Sequence, residues 1–410
     1  MPKFSAHEYV KNIKIILSLS NNSQSKRSLT KIFADERIRS FLSQLIIAVF
    51  IILIGVFFIS NTTHNLNERG LEPGFGFLFD PAFFDIGQRL IDYNSQSSFG
   101  RAMLVGLLNT LLVSILGIIL ATVIGFTAGI LRLSNNWLVS RLITSYVEFT
   151  RNVPVLLQII FWWSILTGLP KVRESINFGE VIFLNNRGIR IPSPILETNF
   201  NWIILVFILS IICAFFLYLW SKNRQNKTGK TFPILIVNFF IILVPIIVMF
   251  NFIDNSLSWE IPKKTRFNFR GGFNVTPELV ALWWALSTYT GAFISEIVRS
   301  GILSVSKGQT EAANSLGLKK SVITRKIIMP QALRVIIPPL TSQYLNLTKN
   351  SSLAIAIGYQ DFVSVGGTIL NQSGQAIEVV AIWMIVYLSL SLGTSFLMNI
   401  YNKRIALIER

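Results

Sequence analysis

Eight apolar runs decide what this chain can fold into. They lie at Phe41 to Ser60, Ala102 to Leu131, Leu142 to Leu169, Asn201 to Trp220, Phe232 to Phe252, Glu278 to Ser304, Ile336 to Gly358 and Ala376 to Ile400. As a helix, each is long enough to cross roughly 30 Å of hydrocarbon, which takes about twenty residues. A backbone in lipid must satisfy its own polar groups, so the runs read as helices and the chain as an all-α integral membrane protein of about eight spans. Composition agrees, with 51% hydrophobic and 14% charged residues.

The net charge of +17 would suit a nucleic-acid binder if the basic residues formed one stripe. They collect instead in short segments beside the apolar runs, the pattern that holds loops in the cytoplasm, so no nucleic-acid partner is expected. Residues 1–40 carry eight Lys or Arg against three acids, contain no signal-peptide core, and are expected to be a cytoplasmic tail. Residues 41–60 then form a membrane anchor, residues 61–101, richer in acids, a periplasmic loop, and residues 401–410 a second cytoplasmic tail. Cys213 is alone and His7 and His64 are distant, which leaves neither a disulfide framework nor a metal site. Gly229-Lys230-Thr231 has Arg224 where a phosphate-binding loop needs its earlier glycine. With no catalytic motif elsewhere, neither an enzyme nor a cofactor site is expected in this chain.

Within residues 102–400, Gly117, Ala121, Gly125 and Gly129 recur at four-residue intervals, a stripe that lets a second helix approach closely. The third run begins through Glu148, Arg151, Asn152 and Pro154, where a proline beside charges is expected to bend the helix, making this a candidate gate lining, with interfacial charges that only snorkel and pair as the alternative. Glu296 and Arg299 in the sixth run, and Lys349, Asn350, Ser351 and Ser352 in the seventh, are polar groups at membrane depth. Such groups face a pathway or a partner; Glu296 and Arg299, three apart on one face, can also satisfy each other. Residues GYQDFVSVGG after the seventh run read as a loop, with Asp361, Gly366 and Gly367 shaping a docking surface or re-entrant turn as the alternative.

The polar, basic island from Ser304 to Leu340 is too charged for lipid. Ser306 with Gln309 fits a capping box, a short helix runs through Glu311, Ala312 and Ala313, and Gly317 can take the left-handed position that ends it. A second helical stretch starts at Lys319 and Lys320, and Pro330 limits how far it runs unkinked.

This island resembles the EAA loop of ABC-importer permeases: Glu-Ala-Ala, three residues, Gly, nine residues, Ile, one residue, Leu-Pro. Here the positions are Glu311-Ala312-Ala313, Gly317, Ile327 and Met329-Pro330, with Met329 the one departure. Tyr146 to Trp163, Tyr289 to Ala313 and Ile336 to Gly358 are similar to the branch that carries polar or general L-amino acids. The resemblance implies an ABC type-1 importer permease core over residues 102–400. It implies ATPase coupling through Glu311, Ala312, Ala313 and Gly317. The polar groups at membrane depth, Arg151, Asn152, Glu296, Arg299, Lys349, Asn350 and Ser351, are then the candidate pathway, where a zwitterionic amino acid would need both charge signs. The resemblance implies as partners a second homologous permease subunit, two cytoplasmic ATPase subunits that bind the ATP, and a periplasmic solute-binding protein. Localisation is then the bacterial inner membrane with both termini cytoplasmic. An ion-gradient-driven secondary amino-acid transporter, or an ABC permease for another small polar solute, is the alternative.

The likeness lapses over residues 170–277, an insert holding two runs joined by a basic turn. Neither run has an Asp, Glu, Lys, Arg or His in its interior, so the pair is expected to be peripheral and excisable from Lys171 to Thr276.

Overall fold

The computed structural model describes residues 36–68, 74–196, 200–229, 232–252, 257–265 and 268–405. Most of both expected tails, together with His7, Lys230 and Thr231, lies outside them. The chain divides into residues 1–75 and 76–410.

In the first unit, helix α1 spans Glu36–Glu68. It outlasts the expected anchor because no Gly or Pro interrupts residues 60–68, so the hydrogen-bond ladder continues past the apolar run. His64 sits 3.3 Å from Glu68, one turn on.

The second unit opens with an irregular segment that leads into α2 (Phe99–Leu131), capped by Ser98, whose hydroxyl accepts from Arg101 N–H at 3.3 Å. There follow α3 (Trp137–Asn152), α4 (Val155–Thr167), α5 (Phe200–Thr228), α6 (Ile234–Phe252) and α7 (Pro277–Leu303). Then come α8 (Lys307–Ser315), α9 (Lys320–Ile323), α10 (Met329–Asn350), α11 (Phe362–Ser373) and α12 (Ala376–Ile405). Among the described residues, four helices are long and apolar enough to cross a membrane alone, namely α1, α2, α5 and α12. Two bent pairs bring the number to six, α3 with α4 at 106° and residues Lys320–Ile357 with α11 at 53°. The remaining two of the eight apolar runs are α6, whose apolar stretch is short, and α7, which carries Glu278, Glu296 and Arg299.

The fold is mostly helical rather than all-α. Among the described residues between α4 and α7 there are eight short strands: β1 (Ile176–Phe178), β2 (Ile182–Asn185), β3 (Gly188–Ile191), β4 (Ser193–Leu196), β5 (Leu257–Glu260), β6 (Lys263–Lys264), β7 (Phe269–Arg270) and β8 (Phe273–Val275). A four-stranded antiparallel sheet runs β1-β2-β3-β8, and Ile189 of β3 faces Val275 of β8 across the whole insert. Strands of two to four residues show no usable alternation, and two of the pairings, β3 with β8 and β4 with β5, join segments remote in sequence, so the strands are not legible in the sequence. The segment GYQDFVSVGG also differs from its reading as a loop: Phe362 onward is α11, with the Asp361 carboxylate capping Ser364 N–H at 2.9 Å.

The core of the second unit is the packing of α2 on α7. All four stripe residues, Gly117, Ala121, Gly125 and Gly129, are buried. A β-carbon at Gly129 would lie 2.7 Å from Val298 Cβ, and one at Gly125 would lie 3.0 Å from the Gly291 carbonyl and collide with Ile294. Reciprocally, a β-carbon at Gly291 would lie 2.9 Å from Ile124 Cγ2. Gly125→Leu or Gly129→Leu is expected to lower stability by about 1–3 kcal/mol through overpacking, read as a lower melting temperature in detergent. Gly117→Ala should be milder, because it meets only the tip of Leu347 at 3.1 Å.

Helices α5 and α6 pack on each other, and Asn238 donates to the Ala214 carbonyl at 3.2 Å. They leave the rest of the unit from one place, where Leu196 at the end of β4 pairs with Leu257 at the start of β5. The excision boundaries read from the sequence were too wide, since Thr276 caps α7 by accepting from Leu279 N–H at 3.3 Å. Replacing residues 197–256 with a two-residue Asn-Gly turn closes β4 onto β5 as a hairpin. The shortened chain is expected to insert and to give a monodisperse size-exclusion peak; its disappearance from membranes would show that α5 and α6 are needed for assembly.

Candidate functional site

Three breaks in the helices place the polar groups of this chain. The first is at Val153 and Pro154, where α3 ends and α4 begins at 106°. Pro154 has no N–H to continue the ladder, which leaves carbonyls of the last turn of α3 without partners. Buried Gln158 supplies them, its side-chain amide donating to the carbonyls of Thr150 and Val153, both at 2.9 Å. Tyr146 donates to the Thr288 carbonyl at 2.7 Å, and Trp163 to Glu278 at 3.3 Å, so both arms of the bend are tied to α7. Between them lies a cavity of about 540 Å³ whose walls include Tyr146, Thr150, Gln158, Trp162, Trp284 and Thr288.

Directly beside the bend stands a charge cluster. Glu296 of α7 accepts from Arg132, which directly follows α2, and from Arg299 at 3.2 Å, and lies 3.7 Å from Arg151 at the end of α3. Arg151 also lies over the Phe293 ring, 5.2 Å from its centroid. Three guanidiniums against one carboxylate leave an excess of positive charge where α2, α3 and α7 meet. The side chain of Arg132 is only 8% exposed, against 33% for Glu296, so that pair is the shielded one and holds the two helix ends together.

The second break is at the end of α10. After Asn350 the chain tightens into a 3-10 turn over Ser351–Ile357 that ends at left-handed Gly358. Lys349 is exposed, Asn350 half-buried, and Ser351 buried with its hydroxyl donating to the Thr348 carbonyl at 2.8 Å. That turn packs against α4 and α7. The structure therefore brings Arg151, Glu296 and Arg299 together and places Lys349, Asn350 and Ser351 at a separate break; Asn152 is exposed at the end of α3.

The third is the polar island. Helix α8 ends in a paired turn: Gly317 N–H donates to the Asn314 carbonyl at 2.9 Å and Leu318 N–H to that of Ala313 at 3.3 Å, with Gly317 at φ +69°. This is the Schellman arrangement, and it needs the positive φ. The expected capping box does not form; the Ser306 side chain makes no cap bond, and Gln309 N–H donates to its backbone carbonyl at 3.0 Å. Glu311 and Ala312 are exposed, whereas Ala313 is 3% exposed, so only the first alanine is on the open face. After α9 the chain widens into a π-helical turn over Thr324–Ile328, just before Pro330 at the start of α10. Proline cannot donate to the residue four back, and the wider turn absorbs the misfit.

Arg132 and Gln158 were not singled out from the sequence. Arg132 lies three residues past Gly129, hence on the same face as the small-residue stripe, and Gln158 lies four past Pro154; both spacings were available as signals. Arg132→Met and Glu296→Met should each destabilise the solubilised protein. The double variant should recover about 1–3 kcal/mol of the summed loss, measured as a thermal double-mutant cycle; strict additivity would show that the pair is not coupled.

The family described as binding-protein-dependent transport system inner membrane component matches residues 226–407. Over 383 residues the chain is 51% identical to YhdX of Escherichia coli (strain K12), covering 92% of this chain and 97% of that protein. It is 49% identical over 377 residues to AapQ of Rhizobium johnstonii, named as a general L-amino acid transport system permease protein, covering 92% and 94%. Against BztB of Rhodobacter capsulatus, named as a glutamate/glutamine/aspartate/asparagine transport system permease protein, identity is 39% over 415 residues, covering 93% and 97%.

Proposed function

This chain belongs to the amino-acid ABC transporter permeases, the inner membrane components of binding-protein-dependent transport systems, and we propose that it passes L-amino acids across the membrane under the drive of a separate ATPase that seats on α8. As such a permease it is a multi-pass protein of the bacterial inner membrane, is not itself the ATPase, and carries no cofactor; ATP is bound by its ATPase partners. Membership sets aside the ion-gradient-driven alternative.

The observation that carries the substrate class is kinship running through nearly the whole chain, to permeases named for several amino acids. What those solutes share is an α-carboxylate beside an α-ammonium. The cluster at the α3 bend offers both signs, with Glu296 for the ammonium and the excess guanidinium charge of Arg151 and Arg299 for the carboxylate. Asn152, Lys349, Asn350 and Ser351 extend the pathway, and the helix breaks on which they stand give it the means to alternate. The chain works with a second homologous permease subunit, two cytoplasmic ATPase subunits and a periplasmic solute-binding protein. It crosses eight times, α6 and α7 included, with both termini cytoplasmic, and α5 with α6 lies outside the pathway.

Coupling is assigned to Glu311, Ala312 and Gly317, with Ala313 as the inward-facing residue that seats α8 on its own chain. Ala312→Trp puts bulk on the exposed face and is expected to abolish ATP-driven uptake in reconstituted vesicles and to weaken ATPase co-purification, at normal permease levels. Gly317→Val meets no neighbour within 4 Å, so its cost is the strained positive φ alone, about 1 kcal/mol or more; it should misaim α8 with the same readout. Unchanged uptake from both variants would overturn the coupling assignment.

A further inference from the structure

The segment between α1 and α2 contains an arrangement that the transport reading does not use. Arg89 donates through Nη1 to the Tyr93 carbonyl at 2.7 Å, and Arg101 through Nε to the Asp92 carbonyl, also at 2.7 Å. Arg101 is thus fixed by one backbone acceptor, while Arg89 Nη1 also pairs with the Asp85 carboxylate at 3.5 Å; the remaining N–H groups of both forks are left for something else. Both line one hollow of about 340 Å³, together with Asp92, Tyr93, Asn94 and Ser97. Its wall is held by Ala82 N–H on the Ser97 carbonyl at 2.8 Å, Phe83 N–H on that of Ser95 at 2.7 Å, and Tyr93 hydroxyl on that of Phe84 at 2.9 Å. Burial, with the Asp85 charge second, holds the Tyr93 phenol above its usual pKa, so it stays a neutral donor.

The Asp92 carboxylate makes no ion pair among the described residues. A second recess of about 280 Å³ shares Arg89 and Asp92 and reaches Gly272, Phe273 and Asn274 beside β8. Two guanidiniums and a carboxylate lining one hollow, with a recess adjoining it, match the three parts of an α-amino acid.

We propose that Arg89, Arg101 and Asp92 form an outer binding site for a zwitterionic α-amino acid, distinct from the Glu296 cluster, with the guanidiniums on its carboxylate, Asp92 on its ammonium and its side chain toward Phe273. The proposal rests on the outward placement of residues 76–101 in the eight-crossing topology. A carboxylate could also arrive on an acidic side chain of the solute-binding protein, but such a group has no ammonium to match Asp92. The site gives solute a foothold on the permease before it enters the pathway.

The test uses the full chain with its partners, in a Cys213→Ser background, and a thiol placed in the hollow by Ser97→Cys or in the adjoining recess by Leu90→Cys. A membrane-impermeant maleimide labels it, and L-glutamine is the probe. Binding slows labelling by the factor 1 + [L]/Kd, about tenfold at roughly ten times Kd. Protection is expected from L-glutamine but neither from its decarboxylated amine nor from its deaminated acid, and Arg101→Gln or Asp92→Asn should remove it. Equal protection by the deaminated acid, or protection by the purified solute-binding protein alone, would overturn the zwitterion assignment. Labelling indifferent to L-glutamine at both thiols, or protection that survives Arg101→Gln, would overturn the site. Labelling that appears only after permeabilisation would contradict the topology instead, and protection measured in the opened membranes would still decide the site.

Discussion

Everything in residues 76–410 hangs on the approach of α2 to α7. Lipid supplies no hydrophobic drive between two apolar helices, so contact must come from dispersion at short range, and the absent β-carbons at Gly125, Gly129 and Gly291 allow it. Helix α10 then docks on both, with Leu347 against Gly117 and the Tyr344 hydroxyl 2.9 Å from that of Thr122. A closely packed scaffold of this kind holds the ends of its helices in register, and those ends carry the charges.

The polar groups of the second unit gather where the helices stop. Pro154 turns the chain through 106°, and Gln158 makes the turn affordable inside an apolar environment by supplying the lost hydrogen bonds. The same turn delivers Arg151 to Glu296, and the Arg132 bond to that carboxylate locks α2 to α7 beside it. The π-helical turn before Pro330 and the 3-10 turn after Asn350 are further points where α10 departs from regular geometry. Regular helix is stiff; irregular turns bracketed by stiff helix are where rigid-body movement finds its hinges.

Helices α5 and α6 leave and rejoin the rest of the unit at one hairpin. Strands β4 and β5 exit and return side by side, so two long helices can be added without disturbing the sheet that joins the flanks. Long insertions at such a site cost little loop entropy beyond what the hairpin already fixes.

The sequence by itself determined the membrane character, the small-residue stripe, the bend at Pro154, the glycine stop at Gly317 and the kinship carried by residues 304–340. All of these are local: a run of apolar residues, a four-residue spacing, a missing N–H, a residue without a β-carbon. Tertiary structure decided what depends on remote partners. The β3–β8 and β4–β5 pairs exist because Ile189 meets Val275 and Leu196 meets Leu257, which no window of neighbouring residues contains. Glu296 and Arg299 can pair as neighbours on one helix face, but only the folded chain adds Arg132 and Arg151 and so turns a pair into a positively charged cluster. Ala312 and Ala313 are the same residue type side by side, and which one faces outward is set by how α8 lies on the turns that follow it, since a helix rotates each successive residue by about 100°.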